Sequence, residues 1–265
     1  MTSTLQQLHR IVVPIDDVPD HERAIRIAVE LGVALGVAVE VISIVPAARR
    51  ADADAAMAAK AAEFGPGVLF SAVTGAPDVA STLMTIGKRA DTLLCLASRG
   101  STSAGELLLG SVSATVFRMT HHPVVVVGPH CTERLHGREI AVALDGTPEA
   151  EAILPTALAM ADALALSTTL YQAGEVGSAV PMDTNETSYL HGIAERARPG
   201  KVLNYEALHD ESPEMALSRL ATSDDVAMVA VTTRSITALQ RLLHGSVASD
   251  VVRHASCPVL VQSIW

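Results

Sequence analysis

The sequence predicts an α/β protein made of two tandem, doubly wound domains, each a mostly parallel five-stranded sheet. Three observations predict it. Apolar runs of strand length alternate with segments of helical period along the chain, the order that yields a parallel sheet covered on both faces. The pattern occurs twice, since "IVVPIDDVPDHE" from Ile11 falls on "IAVALDGTPEAE" from Ile140 at an offset of 129, aligning Asp16 with Asp145. Further on the offset is 135, which lays Arg99 on Arg234, "GSV" at Gly110 on "GSV" at Gly245, and Pro123 on Pro258. The difference of six residues is an insertion in the middle of the second copy, and the chain length of 265 suits two ordinary domains, 1–133 and 134–265.

Taken in order, "IVVPI" is a short apolar strand, and "DHERAIRIAVELGVAL" then carries Ile25, Ala28, Leu31 and Leu35 at helical spacing behind Pro19 and an acidic first turn. "VEVISIV" is the second strand, the Ala-rich segment 51–63 a helix, and "GVLFSAV" the third strand. Val79 to Lys88 is helical, "TLLCLA" is the fourth strand, Ser111 to Thr120 the fourth helix and "PVVVV" the fifth strand. In the second copy, the acidic stretch "HDESPE" from His209 reads as a solvated helix start, with Ser212 capping ahead of Pro213.

Composition excludes several classes of function. Hydrophobic residues make up 49% of the chain, yet no apolar run approaches the ~18 residues of a membrane span and the start lacks the basic and apolar regions of a secretory leader. A soluble, cytoplasmic protein without a membrane partner is the expectation. A net charge of −10 opposes nucleic-acid binding. Cys95, Cys131 and Cys257 form no CxxC pair, and the adjacent His121 and His122 have no ligand partner at metal spacing, so no metal site is expected. No G-x-S-x-G, HExxH or Walker loop appears, and "PIDDVPD" is not the SGGxDS loop of an ATP pyrophosphatase.

One stretch stands apart, "SRGSTSAGELLLGSV" from Ser98, which follows the fourth strand. Ligands of open parallel sheets bind beyond the carboxyl ends of the strands. Gly100 and Gly110 permit a backbone that exposes successive N–H groups, and Ser111 stands where a helix start favours an anion. Together they form a phosphate cradle. The plainer reading is a strand-to-helix loop with Ser111 as its cap, and the retention of Gly245, Ser246 and Val247 in the second copy fits either. Arg99 and Arg234 sit in these loops, facing phosphate or solvent.

With these residues the chain resembles the universal stress protein family in its tandem two-domain form. The family's G-x2-G-x9-G-[S/T] motif is matched as Ala97-x2-Gly100-x9-Gly110-Ser111, with Ala in place of the first Gly, and "RMTHHPVVVV" and "RHASCPVLVQ" are similar to its strand-five endings. The resemblance implies Rossmann-like, HUP-type domains that bind ATP, or AMP or ADP, with Mg2+ accompanying ATP. It places adenosine against Asp16, the backbone near Pro14, Ile44 and Leu96, and phosphates against Gly100, Gly110, Ser111 and Val112. A carboxylate suits ribose hydroxyls. Capping of the next helix is the other reading of Asp16, a role open also to Asp17 and Asp20. In the second copy Asp145, Gly245 and Ser246 remain, while Thr232 and Ser235 replace both leading glycines and put that site in doubt.

Three functions follow as expectations: a nucleotide-responsive regulatory protein read by an unidentified protein partner, a slow ATPase, or a scaffold with degenerate sites. No Lys or His stands in the motif to clamp or activate a transferring phosphoryl group, which disfavours the ATPase. The two terminal strands, apolar and in need of a partner, are expected to pair within the chain as a pseudo-dimer, placing Val127 and Val261 at a domain interface, with homodimers as the family's habit.

Overall fold

A computed structural model describes residues 7–15, 21–74, 78–98, 122–175, 182–199, 202–233 and 247–264. Its first half holds β1 (Arg10–Ile15), α1 (Glu22–Leu35), β2 (Ala38–Val45), α2 (Arg50–Phe64), β3 (Val68–Thr74), α3 (Val79–Gly87), β4 (Thr92–Ala97) and β5 (Val124–Val127). The second half holds β6 (Glu139–Leu144), α4 (Leu154–Leu164), β7 (Ser167–Glu175), α5 (Met182–Ala197), β8 (Asn204–Asp210), α6 (Pro213–Leu220), β9 (Val226–Thr233), α7 (Val247–His254) and β10 (Val259–Ser263). The strand runs read from the sequence each fall on one of these strands.

All ten strands form one sheet in the order β3-β2-β1-β4-β5-β10-β9-β6-β7-β8. Pairing is parallel within each half and antiparallel at the β5–β10 seam, where Val124, Val125 and Val126 lie opposite Val261, Leu260 and Val259. Val127 pairs on the other side with Ala97. Strands in the middle of such a sheet have no water on either face, which is why β4, β5 and β9 are apolar at nearly every position.

The period-2 alternation of the strands divides the core into two layers. Ile11, Val13 and Ile15 of β1 face α1 and α2, and the same layer runs across the seam to Leu154, Ala157 and Ala161 of α4. Val12, Leu94 and Val126 face the other way, toward Leu83 of α3 and Val251 and Val252 of α7. Helix α1 buries Ala24, Ile25, Ala28 and Leu31 at intervals of one and three to four residues, and packs directly on α4 across the seam.

The repeat extends to helix endings. Gly36 closes α1 in a left-handed conformation, φ 67°, with Val37 N–H bonded to Gly32 O at 3.0 Å. Its counterpart 129 residues on, Ala165, closes α4 at φ 55° with Leu166 N–H on Ala161 O at 2.9 Å. The strand register also locates the insertion. Glu40 lies opposite Leu69 and its equivalent Thr169 opposite Asn204, so the offset changes from 129 to 135 between β7 and β8.

Ser212 caps α6 as expected, its hydroxyl accepting Met215 N–H at 3.3 Å ahead of Pro213. The reading of "HDESPE" as solvated fails at Asp210. That residue ends β8, is buried, and holds Arg219 at 2.8 Å. The arginine that neutralises it lies a full helix away in sequence, so the local charge run gave no sign of burial.

Candidate functional site

In each half the strand order reverses between the first and fourth strands, β1 beside β4 and β6 beside β9. A crevice opens outside the carboxyl ends of strands at such a reversal. β1 pairs with β2 along its whole length, Arg10 to Ile15, but with β4 only from Arg10 to Val12. The two strands are therefore unpaired beyond Val12. Pro14 lies in that stretch, where the N–H it lacks has no ladder to β4 to serve.

Pro14 and Ile44 are the last residues but one of β1 and β2, and Leu96 and Ala97 end β4. The four candidates from the described part of the first half thus share one margin of the sheet. Ser98, which sequence reasoning passed over as a site residue, fixes where the chain leaves β4. It is buried, its N–H donates to Val127 O at 2.9 Å and its hydroxyl reaches the same oxygen at 3.2 Å. Asp16, Arg99, Gly100, Gly110, Ser111 and Val112 lie outside the described residues.

In the second half Asp145 follows β6, exposed at the equivalent margin. Its Oδ1 accepts the Thr147 N–H at 3.1 Å and the Thr147 hydroxyl at 2.6 Å, across Gly146 at φ 83°. Thr147 in turn takes the Ala150 N–H on its hydroxyl oxygen at 3.4 Å, at the start of a 3-10 turn, Ala150–Ile153, that leads into α4. Asp145 thereby holds the turn that starts the helix. Val247 opens α7, directly after the "GS" of the second copy; Arg234, Gly245 and Ser246 lie outside the described residues.

Further side chains meet at Glu151, on the 3-10 turn that follows. The Tyr189 hydroxyl of α5 lies 3.5 Å from Glu151, and Arg196 bridges to the same carboxylate at 3.4 Å. Burial, with the negative charges of Glu151 and Asp145, pushes the Tyr189 phenol up to about 12, so it stays a neutral hydroxyl at physiological pH. These residues lie 38 and 45 positions from Glu151, and no short motif could have joined them.

Cys95, Cys131 and Cys257 are buried, and burial pushes the thiols of Cys131 and Cys257 up to about 12 and that of Cys95 further still. Among the described residues no three His, Cys, Asp or Glu side chains are placed to hold a metal ion. No helix among them is long and apolar enough to cross a membrane.

The family model described as "Universal stress protein family" matches residues 7–128 and again 137–262. A universal stress protein from Archaeoglobus fulgidus superposes with a TM-score of 0.67 over 99% of both chains at 20% identity. A functionally unknown protein from Pseudomonas aeruginosa does so at 0.65, covering 99% of this chain and 95% of its own at 16% identity. The cytoplasmic domain of a prokaryotic cation chloride cotransporter follows at 0.54, covering 96% and 95% at 12% identity. At these identities the likeness is one of fold. No curated protein matches the chain in sequence.

Proposed function

Because the chain belongs to the universal stress protein family, matched over both of its halves, we propose that it is a regulatory protein of the cytoplasm whose first half binds an adenine nucleotide. The observation that carries this reading is the unpaired stretch of β1 and β4 beyond Val12, with Pro14, Ile44, Leu96 and Ala97 on the margin around it. Adenosine lies against these backbones with Asp16 on the ribose, and the phosphates of ATP lie against Gly100, Gly110, Ser111 and Val112, Mg2+ accompanying them. AMP and ADP occupy the same adenosine position. Residues 1–133 form this working domain and 134–265 its pseudo-symmetric companion. Occupancy orders the loop from Arg99 to Gly110 and so changes a surface that a partner protein reads.

A different role is supported for the second half. The Asp145 carboxylate is engaged by Thr147, and Ser235 stands where the first copy has Gly100, so this half serves as scaffold. The test is to purify the chain without added nucleotide, denature it, and quantify released small molecules by ion-pair chromatography with mass detection. About one adenine nucleotide per chain is expected, and none from a Gly100→Glu/Gly110→Glu variant whose circular dichroism is intact. An empty wild-type protein that also fails to bind in a millimolar ATP titration would refute the proposal.

A further inference from the structure

A cavity of about 450 Å³ opens in the second half at the amino ends of the strands, the end of the sheet away from the crevices described above. Glu139 and Ser167, the first residues of β6 and β7, line it together with Tyr171, and the segment ahead of β9 adds Ser223 and Asp225. Leu220, the last residue of α6, is the apolar part of the wall. A volume of this order suits a small organic molecule.

The repeat shows what has changed there. In the first half Arg10 reaches from β1 to β2, with Nη1 on the Glu40 carboxylate at 2.7 Å and Nε on the Thr92 hydroxyl at 3.0 Å. The equivalents of Arg10 and Glu40, 129 residues on, are Glu139 and Thr169, so a carboxylate stands where the first half has its cation. Glu139 is half-buried and makes no ion pair among the described residues. Its neighbour Arg138 is engaged by Asp225, Nη2 lying 2.6 Å from Oδ1. A further acid, Glu206, stands opposite Tyr171 on β8. The cavity therefore has carboxylate in excess of cation, and a carboxylate partly withdrawn from water is stabilised by an opposite charge.

Hydrogen bonding in the wall is one-sided as well. Tyr171 donates to Glu139 Oε1 at 2.8 Å, and the Thr169 hydroxyl donates to Oε2. Ser167 gives its hydroxyl proton to Arg138 O at 3.0 Å. Burial, and then the bond to Glu139, raises the Tyr171 phenol well above its ordinary range, so that proton stays in place. With these protons committed, Glu139, Ser167 and Tyr171 have only lone pairs left to offer. The matching ligand group is a cation that donates and does not accept. A guanidinium is such a group, and its planar fork can engage a carboxylate through two parallel bonds.

We propose that this cavity binds a small guanidinium compound, held on Glu139 in the place where the first half carries a guanidinium of its own, that of Arg10. The site is at the opposite end of the sheet from the nucleotide crevice and does not depend on it. A primary ammonium has the same charge without the fork, and so separates the geometry from simple charge attraction.

Calorimetric titration of the full chain with n-butylguanidinium tests this, with n-butylammonium and butyrate as comparisons. One saturable site per chain is expected at millimolar concentration or below, with n-butylammonium weaker by about tenfold or more and butyrate not bound. Glu139→Gln is expected to weaken n-butylguanidinium by about tenfold or more. Glu139→Arg/Thr169→Glu, which installs the pair that Arg10 and Glu40 make, is expected to abolish binding with circular dichroism unchanged. If that double variant does not fold, the near-isosteric Glu139→Gln decides alone. Asp145→Ala, at the other end of the sheet, is expected to bind as the wild type does. No saturable binding by the wild type, equal affinity for n-butylammonium, undiminished binding in Glu139→Gln, or loss of binding in Asp145→Ala would each overturn the inference.

Discussion

The carboxylate of Glu30, on the exposed side of α1, accepts the backbone N–H of Leu135 at 2.7 Å across 105 residues of sequence. Two neighbours on the same helical stripe act alike, Arg23 donating to Pro129 O and Arg26 reaching Glu133 at 3.5 Å. The linker between the halves is therefore tied down along α1. A hydrogen bond to a charged acceptor contributes about 1.5–3 kcal/mol, more than an exposed ion pair. Glu30→Ala is expected to lower unfolding stability by roughly 1.5 kcal/mol, and Arg26→Ala by less than about 0.5 kcal/mol, in urea titrations followed by circular dichroism. Equal effects would show that the Leu135 contact has no special weight.

Ala165 occupies a left-handed position that its repeat partner fills with Gly36. An L-residue there is strained by ~1–2 kcal/mol, partly offset because Gly is more flexible when unfolded. Ala165→Gly is expected to raise stability by about 0.5 kcal/mol and Gly36→Ala to lower it by a similar amount. A Cβ at Gly36 would meet no atom within 4 Å, so that cost is conformational alone. A loss of stability in Ala165→Gly would mean the Ala165 methyl makes a contact of its own.

Much of this architecture was legible in the sequence, and the reason is physical. Central strands buried on both faces must be apolar throughout, so "TLLCLA" and "PVVVV" are conspicuous as strands. Asp78, which accepts the Ser81 N–H at 2.8 Å, marks the start of α3 by a rule that acts over three residues. Relationships over long separations were not legible. Nothing local to Leu135 announces Glu30, and nothing near Asp210 announces Arg219. Of the candidate site, the margin residues could be placed because they end strands, while Tyr189 and Arg196 reach Glu151 only through the packing of α5.

Arg89, at 2.7 Å, and then the Thr92 hydroxyl hold the Asp91 carboxyl well below the usual carboxylate range. Because the folded value is depressed, the contribution of Asp91 is complete above the unfolded value near 4 and is lost as pH falls below it. The pair is largely solvated, so the effect stays within about 1 kcal/mol. Asp91→Asn is expected to reduce stability at pH 7 and to flatten the slope of stability against pH below 4, measured by urea unfolding across that range. Parallel slopes for the two proteins would exclude the carboxyl as a contributor.

The thiols give a readout of packing. With Cys131 and Cys257 pushed up to about 12, thiolate at pH 8 is on the order of one part in ten thousand, and burial closes the approach to all three. The folded protein is expected to release no chromophore from an aromatic disulfide reagent at pH 8, and three equivalents per chain in denaturant. A prompt equivalent from the native protein would show that the region around the seam opens.

Asp16 and Asp145 are repeat equivalents, and the proposal gives them different work. In the second half the carboxylate has a structural task, holding Thr147 through both its N–H and its hydroxyl at the turn into the Ala150–Ile153 segment. Losing two bonds to a charged acceptor at an exposed turn costs on the order of 1 kcal/mol. Asp145→Ala is therefore expected to lower the unfolding midpoint while the nucleotide released on denaturation stays at about one per chain. Asp16→Ala is expected to do the reverse, emptying the protein of nucleotide. If Asp145→Ala instead reduced the nucleotide content, the second crevice would be a working site and its scaffold role would be withdrawn.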